Sequence, residues 1–204
     1  MIDQSYSLDY QDVFVLLLLN YQNNGKFIDI GSSHPSESNN TFLLEKFNWS
    51  GVCIEYGNSY LEEYKKRSCL FLNTDAFNID YKKLFEHLNF GNCIDYLSLD
   101  IDENSTNLLY KLPFDLIKFK IITIEHDEYR FGDRYKLIQR NFLKNNGYTL
   151  LFGNVYAEKG SEIYGKERSY EDWWVHPEFI NLNKIDPKEN IYPSEIIKLL
   201  KAKL

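Results

Sequence analysis

The chain has no excess of basic residues: 23 Lys and Arg face 30 Asp and Glu, a formal net charge of −7 over 204 residues. Proteins that grip a phosphate backbone gain affinity by displacing counterions and usually carry the opposite balance, so nucleic acid is not expected as a partner, although a local basic patch fits the count. Long apolar runs are missing too. The longest, Val13 to Leu19, is far short of the roughly 20 residues needed to span a bilayer. Acids (Asp3, Asp9 and Asp12) precede it where a secretory signal would carry basic residues. The expectation is a soluble, intracellular, cytoplasmic protein with no membrane partner. Cysteine is scarce. Cys53, Cys69 and Cys93 are odd in number and fit no zinc spacing, so buried free thiols in a reducing compartment are expected. No internal repeat is present.

What is there suits one globular domain over residues 1–204: 44% of residues are hydrophobic and 26% charged. Hydrophobic periodicity predicts an N-terminal helical segment within 1–24, with Asp12 capping a helix that Asn23-Asn24-Gly25 stops. Short apolar runs read as strands at 27–30, 51–55, 70–72, 94–101, 120–125 and 148–152. Helical patterns separate them at 41–47, 60–67, 81–88, 106–112 and 135–143. This alternation calls for a mostly parallel sheet with helices on both faces. After Phe152 the rhythm breaks. Gly153 to Arg168 is polar, Trp173-Trp174-Val175 reads as a returning antiparallel last strand, and 196–204 as an amphipathic helix packed on the body or on a second subunit. Residues 153–204 thus form a C-terminal hairpin and tail; monomer and homodimer both stay open.

Ligands of open α/β sheets bind at the carboxyl ends of the strands. Those ends are acidic here: Asp29-Ile30-Gly31, Glu55, Asp75, Asp100 with Asp102, and Glu125 with His126. Any one such acid can simply cap the next helix; five successive ones suggest a shared edge. Gly31 lets the backbone turn tightly beside a ligand. Glu55, 24 residues further on, is placed to accept ribose hydroxyls. Asp75 can accept an adenine amino proton. A dinucleotide pyrophosphate wants Gly-x-Gly-x-x-Gly, whereas Gly31-Ser32-Ser33-His34-Pro35 lacks the second and third glycines. S-adenosylmethionine, which has no phosphate but has an amino and a carboxylate group, fits better. A nicotinamide-dependent oxidoreductase and a non-catalytic binding module remain as competing readings.

The ordered motifs carry a family resemblance. Phe27-Ile28-Asp29-Ile30-Gly31, Asn39 to Glu45, Trp49 to Glu55, Tyr96 to Asp102 and Ile122 to His126 together resemble the FkbM-type methyltransferases over residues 5–150, with Gln11-Asp12 similar to a recurrent Gln-Asp upstream of the first strand. The resemblance implies a Rossmann-like class I methyltransferase sandwich, here with seven strands, S-adenosylmethionine as cofactor, and O-methylation of a sugar, glycan or other small hydroxylated acceptor. Two positions depart from the family pattern. The first loop usually continues Gly-Ala-Asn-Asp-Gly, and the residue after the second acid is usually proline. Here that residue is Tyr56, which can stack on adenine. The expected cofactor-binding set is Gln11, Asp29, Gly31, Ser32, Glu55, Tyr56, Asp75, Ala76 and Asp100.

Removing a proton from a weakly acidic hydroxyl calls for a base, a metal or both. His126 is the expected base, with Asp100 and Asp102 as further catalytic residues. Asp100, Glu125 and His126 are the expected ligands of a divalent cation such as Mg²⁺ or Mn²⁺. Because adjacent strand residues face opposite ways, Glu125 and His126 can serve together only if the strand has ended there. His34 is a second-choice base; His87 and His176 are weaker. The charged, aromatic Asp127 to Arg134 reads either as a sugar-binding loop or as a solvated one. Of Trp173 and Trp174, one is expected in the core and one against the acceptor.

Overall fold

The computed structural model describes residues 4–158 and 169–203; the tip of the C-terminal hairpin expected between 159 and 168 lies outside the described residues. Eight strands form one sheet: β1 (Lys26–Ile30), β2 (Ser50–Glu55), β3 (Leu70–Asn73), β4 (Cys93–Leu99), β5 (Lys118–Glu125), β6 (Thr149–Tyr156), β7 (Ser169–Val175) and β8 (Lys188–Ile191). Their order is β3-β2-β1-β4-β5-β7-β6-β8. β7 runs antiparallel between β5 and β6, and all other pairings are parallel.

This corrects the expectation of seven strands ending in an antiparallel one. The antiparallel strand is the seventh, and β8 adds an eighth at the edge. β8 reads Lys-Glu-Asn-Ile with only Ile191 buried, so it carries no apolar signal and forms through backbone pairing with β6. β6 also runs on through Gly153 to Tyr156, where a polar loop was expected, because irregular pairing with β7 absorbs the glycine.

The helices cover both faces. α1 (Gln11–Leu18), α2 (Phe42–Glu45) and α8 (Pro193–Lys203) lie on one; α4 (Tyr81–His87), α5 (Ser105–Leu109) and α7 (Asp133–Asn145) lie on the other. The short α3 (Leu61–Tyr64) follows β2 and supplies Tyr64 to the first core. α8 packs on α1 and β6, so the body holds the tail's apolar face. Among the described residues no helix is long and apolar enough to cross a membrane.

Strand parity sends Trp173 into the first core and Trp174 into the second, both with 0% exposure. Neither lines an acceptor surface, against expectation; Trp173 packs on Phe14 and Phe152 instead. Asp12 also plays a different part from the cap expected of it. It sits inside the first turn of α1, where its carboxylate accepts the Ser5 and Ser7 hydroxyls and the Tyr6 and Ser7 amides, pinning the preceding segment. The segment read as a loop after β5 contains a helical turn, α6 (Glu128–Phe131), entered through Asp127 at φ 49°.

Candidate functional site

Because β1 to β5 are parallel, their carboxyl ends share one edge, and there lies a cavity of about 340 Å³. Gly31, Glu55, Tyr56, Asp75 and Ala76 line it, together with Phe77, Ile101 and Asn104, which the sequence did not single out. Gly31 is held by its own and the Ser32 N–H, both donating to the Ile54 carbonyl. Glu55 accepts the Ser33 N–H at 2.8 Å, joining the end of β2 to the loop after β1. Asp75 caps the short turn Ala76–Asn78 by accepting the Phe77 N–H at 2.8 Å, which brings the Phe77 ring to the cavity. Tyr56 stands 79% exposed at the rim.

Three of the expected cofactor residues do not line this cavity. Ser32 is buried and takes the Tyr64 hydroxyl at 2.7 Å. Gln11 donates to Glu171 at 2.8 Å and to the Tyr170 hydroxyl at 3.2 Å. Asp29 is buried on the α1 face and accepts the Thr41 hydroxyl at 2.9 Å. Burial pushes the Asp29 carboxyl up to about 6, against the opposing pull of Thr41 and Arg67. A raised folded-state pKa means that Asp29 contributes stability at low pH and loses it as pH rises from about 4 through about 6. Asp29→Asn, which keeps an acceptor for Thr41, is therefore expected to be the more stable protein at pH 8, by roughly 1–3 kcal/mol. In thermal unfolding its advantage should vanish below about pH 4; a constant gap across pH would refute the account.

Next to the cavity the ends of β4 and β5 bring acids together. Carboxylate oxygens of Asp102, Glu125 and Asp127 lie within 4.8 Å of one another. Asp100, directly after β4, shares a hydrogen bond with Glu125. Surrounding protein displaces water from Asp100, and Asp102 and Asp127 repel its charge, so its carboxyl titrates above the usual range. Burial, then Asp100 and Asp127, push the Glu125 carboxyl well above the usual range. Arg130 on α6 donates from Nη1 to Asp102 at 2.6 Å and to Asp127 at 3.0 Å.

His126, expected as base and metal ligand, is not brought to these acids. β5 is still paired at Glu125, opposite Glu171, so strand parity holds and His126 points to the other face. There it is buried, with Nε2 3.4 Å from Asp172 Oδ1. The same parity returns Asp127 to the side of Glu125, and a period of two from Glu125 is the signal that would have found it. His34, half-buried, caps its own loop, its Nδ1 accepting the Ser36 and Glu37 amides. Glu171, buried beside Gln11 and Tyr170, is a further acid on this edge. Burial, above all, raises its carboxyl well beyond the usual range.

No family model and no curated protein matches the chain. Solved structures do. An rRNA methylase from Streptococcus thermophilus superposes with a TM-score of 0.53 at 8% identity, covering 86% of this chain and 99% of that one. The B. subtilis m1A22 tRNA methyltransferase TrmK gives a TM-score of 0.50 at 13% identity, covering 84% of this chain and 67% of that one. At such identities the likeness concerns the fold alone: the chain shares the Rossmann-like α/β fold of these two methylating enzymes.

Proposed function

We propose that the chain is an S-adenosylmethionine-dependent O-methyltransferase of FkbM type acting on a sugar, glycan or related small hydroxylated acceptor. The observation that carries this reading is the strand-end cavity, which collects Gly31, Glu55, Tyr56, Asp75 and Ala76 from three successive strand ends. The donor set suits an adenosyl group. Glu55 offers a carboxylate to two ribose hydroxyls, Asp75 an acceptor for the adenine amino group, and the Tyr56 and Phe77 rings apolar faces for the base. When bound, S-adenosylmethionine supplies an electrophilic methyl group. The neighbouring carboxylates Asp100 and Asp102 are placed to orient an acceptor hydroxyl and take its proton.

The acid-rich cleft also favours a neutral acceptor over a phosphate-bearing one. Both structural neighbours named above are RNA methylating enzymes by description, which makes RNA the second reading. Against it stand the carboxyl groups around Asp100 and the net charge of −7, since both repel a polyanion. A divalent cation would be held by Asp102, Glu125 and Asp127, hard oxygen donors of the type such ions take, and would have to displace Arg130 from two of them.

Calorimetry tests the reading directly. S-adenosylhomocysteine is expected to bind and NAD to give no heat, while Glu55→Ala should weaken binding about 10- to 100-fold through lost hydrogen bonds to a charged group. Unchanged affinity in Glu55→Ala would refute the ribose assignment, and NAD binding would favour the oxidoreductase reading. Repeating the titration with Mn²⁺, with and without Asp127→Asn, reports on the cation.

A further inference from the structure

Cys53 and Cys69 pack in the core on the α1 face of the sheet, separated from β4 and β5 by β1, and nothing proposed above uses them. Their Sγ atoms are 3.4 Å apart and both thiols are free. Cys53 is buried in the middle of β2; Cys69 is half-exposed just before β3. A disulfide needs an S–S separation of about 2.05 Å, so little more than an ångström of movement divides the two states. Burial raises the Cys53 thiol well above its ordinary range and keeps it protonated. Cys69 is thus the sulfur that an oxidant from solvent meets first.

The pair is wired to the cavity on both sides. Cys53 precedes Ile54, whose carbonyl holds the Gly31 and Ser32 amides. Cys69 follows Arg67 by two residues and ties its own N–H to Glu45 at 3.2 Å. Arg67 in turn donates to the Pro35 carbonyl, Asn39, Thr41 and Glu45, clamping the loop that runs from Gly31 into α2. Thr41 Oγ1 itself lies 3.7 Å from Cys53 Sγ. A shift of the Cys69 backbone toward Cys53 would carry Arg67, and with it this loop, toward β2.

We propose that Cys53 and Cys69 are a peroxide-sensitive pair that closes to a reversible disulfide, and that closure weakens ligand binding at the strand-end cavity. The second half rests on the cavity being the cofactor pocket; the first does not. The Cys69 sulfur attacks one oxygen of hydrogen peroxide, the O–O bond breaks, and water leaves a sulfenic acid. The Cys53 sulfur then displaces the second water as the S–S bond forms. Two thiols are oxidised and one peroxide is reduced to two waters. Cys93, half-buried at the start of β4, takes no part.

The test uses the full chain with hydrogen peroxide as the probe. Intact mass should fall by about 2 Da, the loss of two hydrogens on disulfide formation, and alkylation after unfolding should label Cys93 alone. Cys69→Ser and Cys53→Ser should each abolish the mass loss, and dithiothreitol should reverse it in the unmutated protein. Oxidised protein is expected to bind S-adenosylhomocysteine at least about tenfold more weakly than reduced protein, with Cys69→Ser indifferent to peroxide. Three alkylatable thiols after treatment, a Cys69 sulfinic acid without a bond to Cys53, or a disulfide between two chains would each overturn the modification site. A disulfide with unchanged affinity would overturn the coupling. If the reduced protein bound no S-adenosylhomocysteine, the cofactor reading would fall while the mass result still judged the disulfide.

Discussion

Replacing Arg140 by alanine is expected to destabilise the protein by about 3–5 kcal/mol, a large share of the roughly 5–15 kcal/mol that holds a typical domain together. Asp172 on β7 has no exposed surface. Arg140 on α7 grips it with both prongs, Nε to Oδ2 at 2.7 Å and Nη2 to Oδ1 at 2.8 Å. The Asn154 amide donates at 2.8 Å, and His126 Nε2 lies 3.4 Å away. Burial alone would raise the Asp172 carboxyl, but Arg140 and His126 overrule it and bring it down to about 2. The folded protein therefore carries a buried negative charge matched mainly by one guanidinium. Alanine removes the match and leaves the charge, while lysine restores the charge without the fork and should recover only part of the loss. Since the folded pKa lies below the unfolded one, this contribution is present above about pH 4 and fades as pH falls toward 2. Urea unfolding at pH 7 and at pH 3 measures both claims. Equal stability of the Arg140→Ala and unmutated proteins at pH 7 would sink the argument, as would a gap that fails to narrow in acid.

Gly31→Ala is expected to abolish detectable S-adenosylhomocysteine binding and to cost about 2–4 kcal/mol, combining a left-handed backbone with a steric clash. Gly31 has φ +83°, and a Cβ there would fall 1.7 Å from the Asp100 carbonyl oxygen and 2.9 Å from Ile101 Cγ2. The backbone cannot step aside cheaply, because the Asp100 N–H donates to the Ile30 carbonyl at 2.9 Å and locks β4 to β1 at this level. The ends of both strands must separate, and the cavity they border must widen. Gly91 supplies the control. Its φ is +72°, yet nothing lies within 4 Å of its Cβ position, so Gly91→Ala pays for conformation alone, about 1 kcal/mol. Melting temperatures and calorimetry of the two variants side by side decide the matter. If Gly31→Ala behaved like Gly91→Ala, the close approach of Asp100 to Gly31 would not govern the cavity.

Much of the fold was legible because β1, β2, β4 and β5 are buried on both faces, and they and the edge strand β3 announce themselves as apolar runs separated by helical periods. Each expected strand among them is present within about two residues, and Trp173 and Trp174 face opposite ways as the pleat demands. β8 was not legible, since a polar edge strand owes its existence to backbone pairing with β6. Gly31, Glu55, Tyr56, Asp75 and Ala76 were found as a group because strand ends can be counted along a chain. Gln11, Asp29 and Ser32 were named with them but do not line the cavity: Asp29 and Ser32 hold Thr41 and Tyr64 on the other face of the sheet, and Gln11 ties α1 to β7.

The sequence by itself determined that acids stand at the ends of successive parallel strands, and hence that they share an edge with Gly31. Which of them meet was decided by tertiary structure. Strand order places β4 between β1 and β5, so Asp100 and Asp102 face Glu125 and Asp127 across adjacent strands. Pairing with β7 keeps the chain extended through Glu125 and on into the His126 N–H, which donates to the Tyr170 carbonyl, and that continued pleat turns His126 into the interior and Asp127 into the cleft. Arg130, whose guanidinium bridges Asp102 and Asp127, reaches them through the fold of α6. The physical reason is the same in each case: a side chain's direction alternates residue by residue, so its chemistry depends on where a strand stops, and a neighbouring strand far along the chain sets that point.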